Sequence, residues 1–158
     1  ALLLADTRAG ADSAEVRAKR DEMKMVLLSQ GVGAVADRLI TGMVGKTTRA
    51  QRPELVDQLD AMMRRSSVDA VSDAREVLLG RPDATPTLGT ISVPTLIVCG
   101  DEDVLTPVAE SRALQAAIPG SRLEVIAGAG HVSNFEAPAV FNRLLKAYLT
   151  ATIRTGPT

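Results

Sequence analysis

One stretch limits the folds open to this chain more than any other. Residues 93–99, Val-Pro-Thr-Leu-Ile-Val-Cys, form a largely apolar run rich in β-branched side chains and closed by Gly100. Successive side chains of a strand point to opposite faces, so such a run predicts a strand buried on both sides, as in a parallel sheet. A carboxylate-bearing turn, Asp101-Glu102-Asp103, follows at once and is stopped by Pro107. A second strand is predicted over 123–127. It ends in a loop where Gly128 and Gly130 precede His131, the chain's single histidine. Parallel strands that each deliver a polar residue at the carboxyl end are how open α/β sheets build sites.

A carboxylate and an imidazole placed this way have a definite chemical use. A serine hydroxyl is a poor nucleophile until a base takes its proton, and imidazole, with an unperturbed pKa of about 6.5, is suited to that task. A buried carboxylate on the other ring nitrogen fixes the tautomer and stabilises the imidazolium that forms.

The order Gly100, Asp103, Pro107, then Gly128, Gly130, His131, Glu136 and Pro138 resembles the C-terminal half of an esterase-like α/β-hydrolase. The likeness is close over residues 84–149 and looser before them. It implies Asp103 as triad acid, His131 as general base, a small-molecule ester or acyl substrate, and no cofactor. One His and one Cys supply no metal-ligand cluster, and no phosphate-cradling glycine loop is present.

In that family the nucleophile precedes the acid and the histidine. The 158 residues contain neither a Gly-x-Ser-x-Gly elbow nor the glycine-rich oxyanion loop that accompanies it. The chain begins without Met on Leu2-Leu3-Leu4-Ala5-Asp6, which reads as a buried strand. The expectation is therefore the distal half of a longer hydrolase, inactive when isolated. The resemblance leaves a serine or an aspartate nucleophile open, the latter as in dehalogenases and epoxide hydrolases. The alternative is a non-catalytic oligomeric module that keeps the half-fold.

Asp6 competes with Asp103 for the acid's role, because some α/β-hydrolases carry the acid on an earlier strand. Otherwise Asp6 caps a turn and pairs with Arg8. Asp101 reads as a turn former, and Ser133 and Asn134 as loop formers beside His131.

The rest of the chain divides into zones. Residues 1–11 hold the first core strand and its loop. Residues 12–80 carry helical periodicity in four segments, divided near Gly31, Gly45 and 66–67 and closed by Gly80. Asp12 and Ser13 are candidate N-caps, and Pro53 suits a first helical turn. The predicted inward faces are Val16, Met23, Val26 and Leu27; then Val32, Val35, Ala36, Leu39, Ile40, Met43 and Val44; then Leu55, Val56, Leu59, Met62 and Met63; then Val68, Val71, Val77 and Leu78. A helical block between two strands resembles the cap of that family, and all five methionines fall inside it. They read first as fillers of irregular helix gaps, and second as a soft lining over an apolar pocket. Residues 81–90 read as a linker. Residues 81–150 return to the core, with a helix over 108–118 facing inward through Ala113, Leu114 and Ala117. A final helix from Pro138 packs through Phe141, Leu144, Leu145, Tyr148 and Leu149, and a frayed tail is expected at 151–158.

The fold expected is thus α/β, about three parallel strands with flanking helices and a four-helix cap. A net charge of −1 gives no argument for nucleic acid or an anionic membrane surface, and no run approaches the ~20 apolar residues of a membrane span. A cytoplasmic location is the default expectation. Cys99, inside the apolar strand, reads as a small buried hydrophobe. The first strand would have an open apolar edge, so association with itself or with a missing N-terminal half is expected.

Overall fold

A computed structural model describes residues 1–154 of the chain. Three parallel strands form one sheet in the order β1 (Leu2–Ala5), β2 (Thr95–Gly100), β3 (Arg122–Ile126). Leu3 pairs with Leu96 and Leu4 with Ile97 on one side of β2; Cys99 pairs with Val125 and Gly100 with Ile126 on the other. Val93 and Pro94 precede the strand, where the Pro94 carbonyl accepts the amide of Leu2 at 2.8 Å.

Every residue of β2 is buried, which explains its central place. The pleat turns Leu96 and Val98 to one face, against Phe141 and Tyr148 of α7 (Pro138–Arg154). It turns Ile97 to the other, where Leu114 of α5 (Val108–Ala117), Ile118 and Leu88 cover it. Two apolar faces, each with its own helix, make the unbroken run a requirement of the fold. Leu88 belongs to a short 3-10 helix, Thr85–Thr90, within what the sequence offers as a linker. On α5 the inward positions are Ser111 and Leu114, while Ala113 faces out. On α7 Leu149 is exposed, and the helix continues to Arg154 where a tail was expected from 151. Residues 155–158 of that expected tail lie outside the described residues.

Between β1 and β2 come α1 (Ala14–Met43), α2 (Lys46–Gln51), α3 (Pro53–Arg64) and α4 (Val68–Leu79). Ser13 caps α1, accepting the amide of Val16 at 3.3 Å, and Ser67 caps α4, accepting that of Ala70 at 3.1 Å. The break expected at Gly31 is a kink within one helix. Gly31 has φ of 79°, a left-handed value that a residue lacking Cβ adopts without penalty. The short α2 escapes sequence reading, because Lys-Thr-Thr-Arg-Ala-Gln has no apolar stripe and two β-branched residues. Its start is held instead by distant acceptors, described below.

The inward face predicted for the fourth helix is not what forms. No residue of α4 is fully buried, and Val77 is 73% exposed. Met25, Leu28 and Met62 are exposed as well. The predicted inward positions Leu27, Val35, Ala36 and Leu59 are buried, and at the base of the helices charge adds a second tie. The side chain of Asp12 is fully buried and takes Arg8 Nη2 and Arg20 Nε at 2.5 Å each, with Arg81 Nη2 at 3.5 Å. The Arg20 bond, working against burial and helped by Arg8, holds the Asp12 carboxyl below the usual carboxylate range. One carboxylate thus gathers the outgoing chain (Arg8), the first helix (Arg20) and the returning chain (Arg81). Among the described residues, no helix is long and apolar enough to cross a membrane.

Candidate active site

The turn after β2 brings Asp103 to the carboxyl end of the central strand, and the loop after β3 brings His131 to the end of its neighbour. The two meet there. Asp103 Oδ2 lies 2.9 Å from His131 Nδ1. The same carboxylate is fixed by its own turn. Oδ1 accepts the amides of Leu105 and Thr106 at 2.8 and 2.9 Å, and Oδ2 accepts the Thr106 hydroxyl at 2.7 Å. With amides and a hydroxyl on its lone pairs and its side chain fully out of water, the acid has one orientation.

The imidazole is held from two sides. Its backbone amide donates to the carbonyl of Met43, at the end of α1, at 3.0 Å. Its Nδ1 faces the carboxylate, so the neutral ring donates from Nδ1 and keeps its lone pair on Nε2. The side chain is 25% exposed. Among the described residues no hydrogen-bond partner is assigned to Nε2, which leaves that nitrogen available to a proton from elsewhere.

The electrostatics follow from these contacts. Burial alone would raise the Asp103 carboxyl, but hydrogen bonds from His131 and Thr106 and the charge on the ring outweigh it, and the pKa falls below its ordinary value. Burial alone would lower His131. The hydrogen bond and charge of Asp103, with the charges of Asp6 and Glu136, reverse that and raise it above 6.5.

The rival acid lies elsewhere in the network. Asp6 Oδ2 accepts the amide and hydroxyl of Ser133 at 3.1 and 2.7 Å, while Oδ1 accepts the amide of Gly100 at 3.2 Å. Asp6 has φ of 46°, unusual for a residue with a side chain, and these three bonds secure it in that conformation. Burial raises its pKa in spite of them. Arg8, the partner expected of Asp6, pairs with Asp12 instead. Ser133, expected as a loop former, is fully buried and opens the short helix α6 (Ser133–Glu136). Asp101, expected as a turn former, stands in the turn after β2 and reaches across to the loop after β3, where it accepts the amide of Gly128 at 2.7 Å.

Sequence reading gave no role to two contributors. Thr106 is one, and the spacing Asp-x-x-Thr is the local signal that finds it, since a hydroxyl three residues on reaches back to the carboxylate. The other is Glu136, whose partners come from Gly45 and Gly130 and leave no local trace. A cavity of about 440 Å³ opens beside the acid, between Thr41, Gly42 and Val44 at the end of α1, Lys46 of α2, and Val104. Asp103 lines it; His131 and the methionines do not.

The α/β-hydrolase fold model matches residues 34–138. The chain belongs to the α/β-hydrolase fold family. It is 29% identical over 148 residues to 3-oxoadipate enol-lactonase 2 of Acinetobacter baylyi, covering 94% of this chain and 54% of that protein. It is 44% identical over 61 residues to a putative carbamate hydrolase of Cronobacter turicensis, covering 39% of this chain and 23% of that protein. Among solved structures, a thermophilic esterase from Thermogutta terrifontis, studied with malate bound, superposes with a TM-score of 0.90 at 30% identity, over 96% of this chain and 56% of the esterase. The chain therefore spans about half the length of the enol-lactonase and of the esterase.

Proposed function

We propose that Asp103 and His131 are the acid and general base of a Ser-His-Asp triad that hydrolyses a small ester or related acyl substrate. The observation that carries this reading is the 2.9 Å contact between Asp103 Oδ2 and His131 Nδ1, with no partner assigned to Nε2 among the described residues. In this mechanism a serine hydroxyl attacks the substrate carbonyl as Nε2 takes its proton. The carbonyl–oxygen single bond then breaks, and Nε2 returns the proton to the leaving alcohol. Water, deprotonated by the same nitrogen, releases the acyl group. Asp103 keeps Nδ1 protonated and stabilises the imidazolium at each stage.

The nucleophile comes from outside these residues, which hold no elbow motif. Support for an acyl substrate comes from relatives named for esterase, enol-lactonase and carbamate hydrolase activity. In this reading residues 12–80 cap the site and residues 81–150 form the distal core. The isolated chain turns over no ester. The edge of β1 away from β2 is open in the described residues, and it accepts a further strand from the nucleophile-bearing part or from a second copy. That open edge is also what favours the second reading, a non-catalytic oligomeric module.

Intact mass after fluorophosphonate treatment, alongside hydrolysis of a short p-nitrophenyl ester, tests the reading. The expected result is no label and no turnover by these residues alone. One label, and turnover lost on His131→Ala, are expected once a segment carrying the elbow is supplied. A label on the isolated chain that disappears in His131→Ala would show that a serine among these residues is the nucleophile. Failure of the completed enzyme to turn over leaves the module reading in its place.

A further inference from the structure

Glu136 is fully buried and takes no part in the acid–imidazole contact. Both of its oxygens face backbone amides. Oε2 accepts Gly45 at 2.9 Å and Oε1 accepts Gly130 at 2.7 Å. Gly130 immediately precedes His131. Gly45, with Val44, lies between α1 and α2. A single carboxylate thus bridges the histidine loop and a junction remote in sequence.

The surroundings multiply the same connection. The His131 amide donates to Met43, and Thr48 Oγ1 donates to the carbonyl of Gly128 at 3.4 Å. Glu102, in the acid's own turn, accepts the amide and hydroxyl of Thr47, each at 2.7 Å, while its amide donates to Ala129 at 2.9 Å. The backbones touch: a Cβ on Gly130 would lie 2.4 Å from the Gly45 nitrogen, so no side chain fits between them. Arg52 reaches the main-chain carbonyl of Glu136 and the hydroxyl of Thr48. These contacts leave both carboxylate oxygens of Glu136 to the two amides.

We propose that Glu136 is the positioning residue of the histidine loop, clamping Gly130 to Gly45 so that the inserted helices and the imidazole move as one body. The inference rests on the reading of His131 as the base, and deepens it by naming what sets the ring's position. A carboxylate suits the place because it only accepts, and two donors face it. Glutamine has the same shape but turns an NH2 toward one of those donors. A buried amide is then left without an acceptor, which costs far more than an average hydrogen bond adds.

The test is Glu136→Gln in this chain, followed by NMR, where a single histidine gives one unambiguous imidazole signal. Exchange of the Gly45 and Gly130 amides is expected to quicken by about tenfold or more relative to the amides of β2. The Nδ1 proton shared with Asp103 is expected to broaden or vanish. The charged groups acting on the ring are Asp103 from the β2 turn, Asp6 from β1 and Glu136 itself, so its titration midpoint also moves down. A folded variant with an intact Nδ1 proton and unchanged exchange at Gly45 and Gly130 overturns the proposal, since a lower midpoint by itself reports only the lost charge. Should the variant fail to fold, the wild-type chain decides. The Gly45 and Gly130 amides are expected to be protected together, and rapid exchange at either one while β2 stays protected overturns the clamp. These readouts need no turnover, so an inactive enzyme and an absent clamp give different results.

Discussion

The sheet and the inserted helices are held by different means. Around β2 the stabilisation is apolar and two-sided, with Leu96 and Val98 against α7 and Ile97 against α5. In α1–α4 the buried apolar residues are fewer, Leu27, Val35 and Ala36 of α1 and Leu59 of α3 with none in α4, and two polar points tie the helices to the rest of the chain. One is Asp12 with its arginines at the base. The other is the Glu136 and Glu102 contacts at the α1–α2 junction. The site lies where the two regimes meet. The sheet buried on both faces presents Asp103, while the loop that carries His131 is bonded to the α1–α2 junction of the insertion. A densely packed core tolerates little displacement, whereas elements with exposed apolar surface and few buried contacts open at lower free energy.

The largest effect expected concerns the acid. In the enzyme completed with its nucleophile, Asp103→Asn lowers kcat by roughly 10⁴-fold, because the ring then takes the wrong tautomer. Asp6→Asn lowers it much less. A ranking in the opposite order, measured by ester hydrolysis, would move the acid to β1.

Next come the changes that set sheet against insertion. Ile97→Ala is expected to destabilise the chain by about 2–5 kcal/mol through lost burial and a cavity. Val77→Ala on the exposed face of α4 stays within about 0.5 kcal/mol. Urea unfolding of the two variants checks the contrast, and equal losses would mean that α4 is covered as fully as the sheet. Asp12→Asn leaves arginines facing a neutral amide. Because those guanidiniums keep some contact with water, a loss of about 1–3 kcal/mol is expected, below that of a sealed ion pair. Gly31→Ala forces a Cβ into backbone of positive φ and extended ψ at roughly 1–3 kcal/mol, visible as a lower unfolding midpoint.

The smallest effect expected is a dependence on pH. His131 has a raised pKa in the fold, so its contribution to stability is complete below its unfolded value and is lost as pH rises through the folded one. Asp103 has a lowered pKa, so its contribution is present above its unfolded value and is lost as pH falls through the folded one. The pair therefore stabilises most in the acid-to-neutral range between. NMR titration of His131 is expected to show a downward shift in Asp103→Asn larger than in Asp6→Asn, since Asp103 acts through a hydrogen bond and Asp6 by charge alone. A base with a raised pKa also means that activity climbs with pH through that value.

Much was legible in the residues themselves. The 93–99 run announced a strand covered on both sides, since only such a place rewards a continuous apolar sequence. Pro53, the pair Asp12–Ser13 and the pair at 66–67 marked helix starts, because a cap acts on its own first turn, and the structure uses Ser13 and Ser67. The order of Asp103 and His131 after two strands located the polar pair, as both lie at strand ends that local pattern reveals. Tertiary structure decided the rest. It sent Asp6 to Ser133 and Gly100, although Asp6 and Asp103 stand in equivalent places after their strands. It gave α2 its place through Glu102, left Val68, Val77 and Leu78 of α4 exposed, and set Glu136 between two glycine amides. Periodicity and capping are short-range, and a sequence displays them directly. A buried carboxylate is satisfied by whichever amides the fold delivers, and here one of them comes from a residue 91 positions away.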